Sequence, residues 1–231
     1  MTLADTGARP LDLMIRDQKH VITLQWPLPP ITIAQITSNT LKGYLSPLCM
    51  RIIRNRVLPS TFHRWLAYPF NFWPNWADQK PPAVDNVNVN KAIAILANLI
   101  EENINACGLL LHPYIPWLCG VPHGITDNAV VLVVCSNKEF AEEINLVESL
   151  EYGFLLAEDR TLYYEVQVLM GLANKNQAYV MFYRPQSGEF LNLPCFKREH
   201  EWFETKYNAV REKWTRLSNQ HPAENTIILW L

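Results

Sequence analysis

His123 and Cys135 are the side chains of this 231-residue chain whose chemistry invites attention first. An imidazole and a thiolate suit zinc, and the same two groups can pair as base and nucleophile. Neither chemistry is completed by the neighbouring sequence. Two ligands without a near third or fourth rarely hold an ion. Cys135 closes the apolar run AVVLVVC, which is not the electropositive, exposed setting that lowers a thiol pKa. The other cysteines stand at 49, 107, 119 and 195, which makes five with Cys135, an odd number, and there is no C-x-x-C pair. That spacing argues against a disulfide framework and a zinc site and points to a reducing compartment.

Charge supplies the next candidates. Arg51, Arg54 and Arg56 form a compact cationic cluster, read as a solvated helix face with phosphate contact as the functional alternative. Glu139, Glu142, Glu143 and Glu148 read as a solvated acidic face. With 20 basic and 22 acidic residues the net charge is −2, so the strongly basic balance of broad phosphate-backbone binders is missing. Residues 59–82 hold Phe62, Trp65, Tyr68, Phe70, Phe72, Trp73 and Trp76 among five prolines. Such rings either wrap a loop onto the core or anchor a partner, with Trp65, Phe70, Trp73, Trp76 and the tail residue Trp230 as candidate anchors.

The elements that position these residues follow from periodicity. Residues 21–26 read as a strand ended by Pro27, Pro29 and Pro30. A helix is expected to open at 37–39 and continue, weakened by Gly43 and Pro47, through 50–57. Ile93, Leu96, Ala97, Ile100 and Ile104 recur at three and four, which predicts a helix over 85–106 stopped at Gly108. Val121-Pro122-His123-Gly124 makes a turn, and 129–135 is a strand apolar on both faces. Further on, helices are expected at 137–152, 162–173 and 197–217, and strands at 177–183 and 189–196 turned at Ser187-Gly188. The tail TIILWL should dock on a sheet edge or on another chain. No leader segment and no run of ~18 apolar residues is found, so a soluble, intracellular protein, nuclear or cytoplasmic, is expected, with no membrane contact.

These residues resemble the YqaJ, or lambda-exonuclease-like, branch of the PD-(D/E)XK nuclease superfamily. That branch carries a turn Ser-Pro-Asp-Gly and, about ten residues on, a strand Glu-x-Lys; the acids hold Mg²⁺ and the lysine helps to activate water. Here His123 stands at the aspartate, Val133 at the glutamate and Cys135 at the lysine. The family's further glutamate, near the start of the preceding helix, falls on Lys91 or, in another frame, on Val89. Its second signature, Tyr-x-Gln-x-Gln followed by Met, matches Tyr163, Tyr164, Glu165, Val166, Gln167 and Met170, with Glu165 in place of one glutamine.

The resemblance covers roughly residues 88–217. It implies an α/β fold: a central mixed β-sheet flanked by helices, a restriction-endonuclease-like core. We therefore expect one domain over 1–231, with the nuclease-like core at about 84–217 and a helical, Pro- and aromatic-rich extension at about 21–83. The substitutions lead to the expectation of a catalytically inactive domain, a protein-interaction module or scaffold, with no metal and no cofactor and with another protein as partner ahead of nucleic acid. An alternative is a nucleic-acid-binding adaptor that retains the groove, with Arg51, Arg54, Arg56 and Gln167 touching backbone. A further alternative is an active nuclease with relocated ligands Asp127, Glu139 and Glu165.

Overall fold

The computed structural model describes residues 21–24, 27–53, 56–67, 86–112, 114–115, 117–151, 153–158, 160–194, 196–220 and 227–230. At its centre the valine-rich strand β5 (Ala129–Cys135) runs parallel to β8 (Gln177–Tyr183), Ala129 opposite Gln177 and Cys135 opposite Tyr183. A short antiparallel strand β4 (Gly124–Ile125) edges β5. On the far side of β8 lie β9 (Phe190–Asn192) and β10 (Phe196–Lys197), both antiparallel to it. The sheet is mixed, as expected. The loop joining β4 to β5 closes through Thr126, whose Oγ1 accepts from the Asn128 and Ala129 amides.

Period-two alternation divides the sheet's two faces. Val130 and Leu132 pack with Leu162, Tyr163, Val166, Leu169 and Met170 of the helix Thr161–Ala173, which is α5 below. Val131 and Val133 face the other way, onto Val89, Ala92 and Leu96 of the helix Asn86–Ile100, which is α4. A strand buried on both sides must be apolar throughout, which is why it reads as an unbroken run. Helix α5 ends at Asn174 in the left-handed region (φ 50°). Helix α4 stops at Ile100, before the expected end at 106, because Glu101 turns left-handed (φ 55°) and Asn105 then pairs with Ile125 at the sheet edge.

Helices α1 (Pro30–Asn39) and α2 (Pro47–Ile53) form a satellite core with Leu109, Leu111 and Cys119. The tandem prolines start α1 and do not merely end the strand before it, since proline at N1 has a fixed φ and no amide to satisfy. Its end is tied down by Thr40, whose Oγ1 donates to Ile36 O (2.7 Å) and accepts from Leu109 N (2.7 Å). Gly108 is required there, because a Cβ would lie 1.9 Å from Thr37 O. Strands β2 (Leu110–Leu111) and β3 (Cys119–Gly120) pair beside this unit. A third core joins α3 (Phe62–Ala67) and α6 (His200–Gln220) to the outer side of α5, with Trp65, Trp117 and Trp214 buried around Val168. Lys213 Nζ donates to Trp65 O (2.9 Å) and Leu66 O (2.7 Å), covering carbonyls at the end of α3.

The segment after β5 corrects the helix expected over 137–152. A 3₁₀ turn, Phe140–Glu142, is followed by a separate hairpin of β6 (Leu146–Ser149) and β7 (Gly153–Leu156). Gly153, at φ 73°, supplies the left-handed residue that closes it. The apolar tail is strand β11 (Ile227–Trp230), paired antiparallel with β1 (Val21–Leu24), so within this chain its backbone docks on the first strand.

Candidate functional site

A cleft opens where β5 and β8 run out. Tyr44, Val89, His123, Cys135, Asn137 and Glu165 line a recess of about 310 Å³. A cavity of about 500 Å³ adjoins it, sharing Tyr44, Val89 and His123 and adding Lys42 and Asn90. The space beyond the carboxyl ends of parallel strands is where open α/β sheets hold ligands. Four segments distant in sequence meet here, and the turn at 121–124 sits against strand β5 as the resemblance implies.

His123 is held tightly. Its amide donates to Val131 O (3.0 Å), and its ring Nδ1 accepts from the Val133 amide (2.9 Å). A nitrogen that accepts an N–H carries no proton, so the proton of the neutral ring is on Nε2. Burial pushes the pKa down to about 4, and the ring is neutral at neutral pH. Glu165 projects from α5 toward the same recess, and its carboxyl accepts no hydrogen bond from the described residues. Burial raises its pKa to about 7, which leaves protonated and ionised forms in comparable amounts near neutrality. The Tyr44 phenol is raised well above its ordinary value, first by burial and then by the charge of Glu165, while a bond to the Val121 backbone opposes the shift.

The other candidate residues distribute as follows. Val133 is buried against Val89 and Leu96 and also lines the recess, so an apolar side chain stands where the frame has its glutamate. Cys135 is half-buried at the cleft. Lys91 is exposed and does not line the recess; Val89, two residues earlier, is the α4 side chain that does. Gln167 also points elsewhere: its Nε2 donates to Lys197 O (3.3 Å) and its Oε1 accepts from Glu199 N (3.1 Å), fixing the approach to α6. Nothing in the local sequence pattern around Tyr44 links it to the turn at 121–124.

The fold family implies a divalent cation, and the donors here do not fit one. Mg²⁺ requires hard oxygen ligands. Glu165 is one carboxylate, His123 Nδ1 is already engaged, and among the described residues no three His, Cys, Asp or Glu side chains come together. The relocated set is corrected as well. Glu139 pairs with Arg184 (2.5 Å), and Asp127 lies in a separate polar recess with Glu102 and Asn105; neither lines the cleft with Glu165.

Two further groups are corrected. Arg56 is 4 % exposed, and its Nη1 donates to Ile52 O (2.7 Å), so it closes α2 from inside the core and does not meet a ligand at the surface. Burial lowers its pKa to about 10. Residue 54 and the side chain of Arg51 lie outside the described residues. Trp65, at 2 % exposure, belongs to the core and is not a partner anchor. Phe70, Trp73, Trp76 and the side chain of Trp230 lie outside the described residues. Among the described residues no helix is long and apolar enough to cross a membrane.

No family model matches the chain, and no curated protein matches its sequence. Solved structures do. It is similar to an alkaline exonuclease, LHK-Exo, from Laribacter hongkongensis (TM-score 0.54, 15% identity, 73% of this chain and 90% of that one). It is similar also to the Shutoff and Exonuclease Protein of Kaposi's sarcoma-associated herpesvirus (TM-score 0.61, 9% identity, 82% and 72%). A SOX–DNA complex matches with TM-score 0.60 at 8% identity, over 82% of this chain and 71% of that one. A KSHV SOX–RNA complex matches with TM-score 0.59 at 10% identity, over 84% and 75%. The fold is thus lambda-exonuclease-like. This likeness overturns the expectation of a non-enzymatic protein-interaction module. LHK-Exo and the Shutoff and Exonuclease Protein are exonucleases, two of the matches contain DNA or RNA, and the anchor that can be placed, Trp65, is buried.

Proposed function

We propose that this chain acts on nucleic acid, taking a strand into the cleft beyond β5 and β8, and that hydrolysis of the strand depends on Glu165. The observation that carries this reading is the combination of an exonuclease fold with a cleft at the 121–124 turn and strand β5, where one carboxylate is left free of hydrogen bonds from the described residues. A pKa of about 7 suits a group that must take a proton from an attacking nucleophile and later return it. The net charge of −2 limits binding by bulk electrostatics, so affinity rests on contacts within the cleft and, with few phosphates neutralised by cations, falls only gently with salt.

The test uses labelled single-stranded DNA, recessed duplex DNA and RNA, with binding read by fluorescence anisotropy and cleavage by gel. The wild type should bind at low salt and shorten at least one substrate, and Glu165→Gln should bind with similar affinity and cut at least about a hundredfold more slowly, the usual range for losing an acid–base group. A wild type that neither binds nor cuts any of the three refutes the reading. Equal cleavage by Glu165→Gln removes Glu165 from it.

A further inference from the structure

Resting on that reading, we infer that His123 is a fixed hydrogen-bond donor for a phosphate oxygen of the bound strand, so that the cleft grips the backbone by a neutral N–H without a bridging cation. The Val133 amide sets the ring. Its bond to Nδ1 orients the ring and leaves the opposite edge, Nε2–H, without a partner among the described residues and open to the cleft. The second backbone bond, from His123 N to Val131 O, fixes the Cα, so the ring is anchored at two points and its donor direction is preset.

The polarity of the position is thereby the reverse of what a metal ligand needs. A carboxylate there offers lone pairs to a cation, whereas Nε2–H offers a proton to an anion. The lining carries both signs: Lys42 and Asn90 line the adjoining cavity and favour an anion, Glu165 lines the recess itself and opposes one when ionised, and His123 stands on the wall common to both spaces. Together the two spaces fall within the range of small-ligand pockets, about 300–1,000 Å³. Because the ring is neutral at neutral pH, the donor persists across that range with no change of charge.

Two substitutions separate the ring's two nitrogens. In His123→Asn the amide oxygen can take the place of Nδ1 and keep the Val133 bond, but nothing replaces Nε2–H; His123→Gln places an amide N–H near Nε2 and gives up the Val133 bond. In EDTA, the wild type should bind a labelled single-stranded DNA. His123→Asn should fold and lose about tenfold to a hundredfold in affinity, the range for a hydrogen bond to a charged group, while His123→Gln should be less stable and bind more tightly than His123→Asn.

The tautomer is read separately by ¹⁵N-resolved NMR of the His123 ring, which should show the proton on Nε2 and a shift of that N–H on adding DNA. A proton on Nδ1 overturns the inference, as does His123→Asn binding like the wild type, or wild-type binding that requires Mg²⁺; each of these leaves the nucleic-acid reading standing. Absence of binding by the wild type with and without Mg²⁺ overturns both together.

Discussion

Replacing Glu165 with glutamine should stabilise the protein at pH 8 and leave it unchanged at pH 4. Burial at the cleft lifts the Glu165 carboxyl from 4.5 to about 7 in the folded chain, so between those values the native state holds a proton that the unfolded state has released. Stability conferred by this site is therefore complete below pH 4.5, declines through the window 4.5–7 and is gone above it. Each pKa unit is worth about 1.4 kcal/mol, and the carboxyl keeps partial contact with solvent, so the loss at pH 8 comes to about 2–3 kcal/mol. Glutamine has the same shape and no charge to desolvate, and the variant escapes the loss. In a chain of this size that difference moves the melting temperature by about 4–12 °C. Urea melts of both proteins at pH 4, 5, 6, 7 and 8 should give curves that coincide at the acid end and separate progressively from pH 5. Tyr44, which lines the same recess, is raised well above 10.0 and stays protonated throughout this range, so it does not open the gap. A constant offset at every pH, or a gap that narrows as the pH rises, would refute the reasoning.

Two other substitutions probe the frame that holds the cleft. The triple change His123→Asp, Val133→Glu and Cys135→Lys puts charges beside the packed face of β5 and should destabilise the fold by several kcal/mol, mostly through Val133, which is 5 % exposed; chemical denaturation checks this against each single change. Lys213→Ala removes both donors to the carbonyls of Trp65 and Leu66 and should cost about 2–4 kcal/mol, with a lower melting temperature and red-shifted tryptophan emission as the Trp65–Trp214 cluster loosens; an unchanged melt would show that those carbonyls are already hydrated.

Strand β5, strand β8 and helices α4, α5 and α6 were legible in the sequence because each is long and packed on a face whose period matches its type. The hairpin β6–β7 was not. Phe140, Ile144 and Val147 fall at helical spacing, yet Ile144 and Val147 are exposed, so the coincidence buries nothing and the turn at Gly153 decides. The arginine cluster misled for a different reason: sequence shows charge but not the backbone carbonyl that Arg56 reaches from inside the core. Within α5, Glu165 and Gln167 cannot serve one site, since residues two positions apart on a helix point about 200° apart. The resemblance draws attention to Gln167, while packing turns Glu165 to the cleft and Gln167 to the start of α6. The partnership of Tyr44 with the 121–124 turn is a tertiary contact, and no local pattern encodes it.

The pairing of β1 with β11 bears on how the molecule assembles. Val21 opposite Trp230 closes a loop of more than two hundred residues, the widest sequence separation among the described strand pairs. Closure entropy grows only slowly with length, so the ribbon need not be weak once made, but a contact of such span adds to the non-local pairing that slows folding. A two-stranded ribbon has little stability of its own. Among the described residues it shares no strand pairing with the central sheet, so its opening breaks none of that sheet's ladder hydrogen bonds.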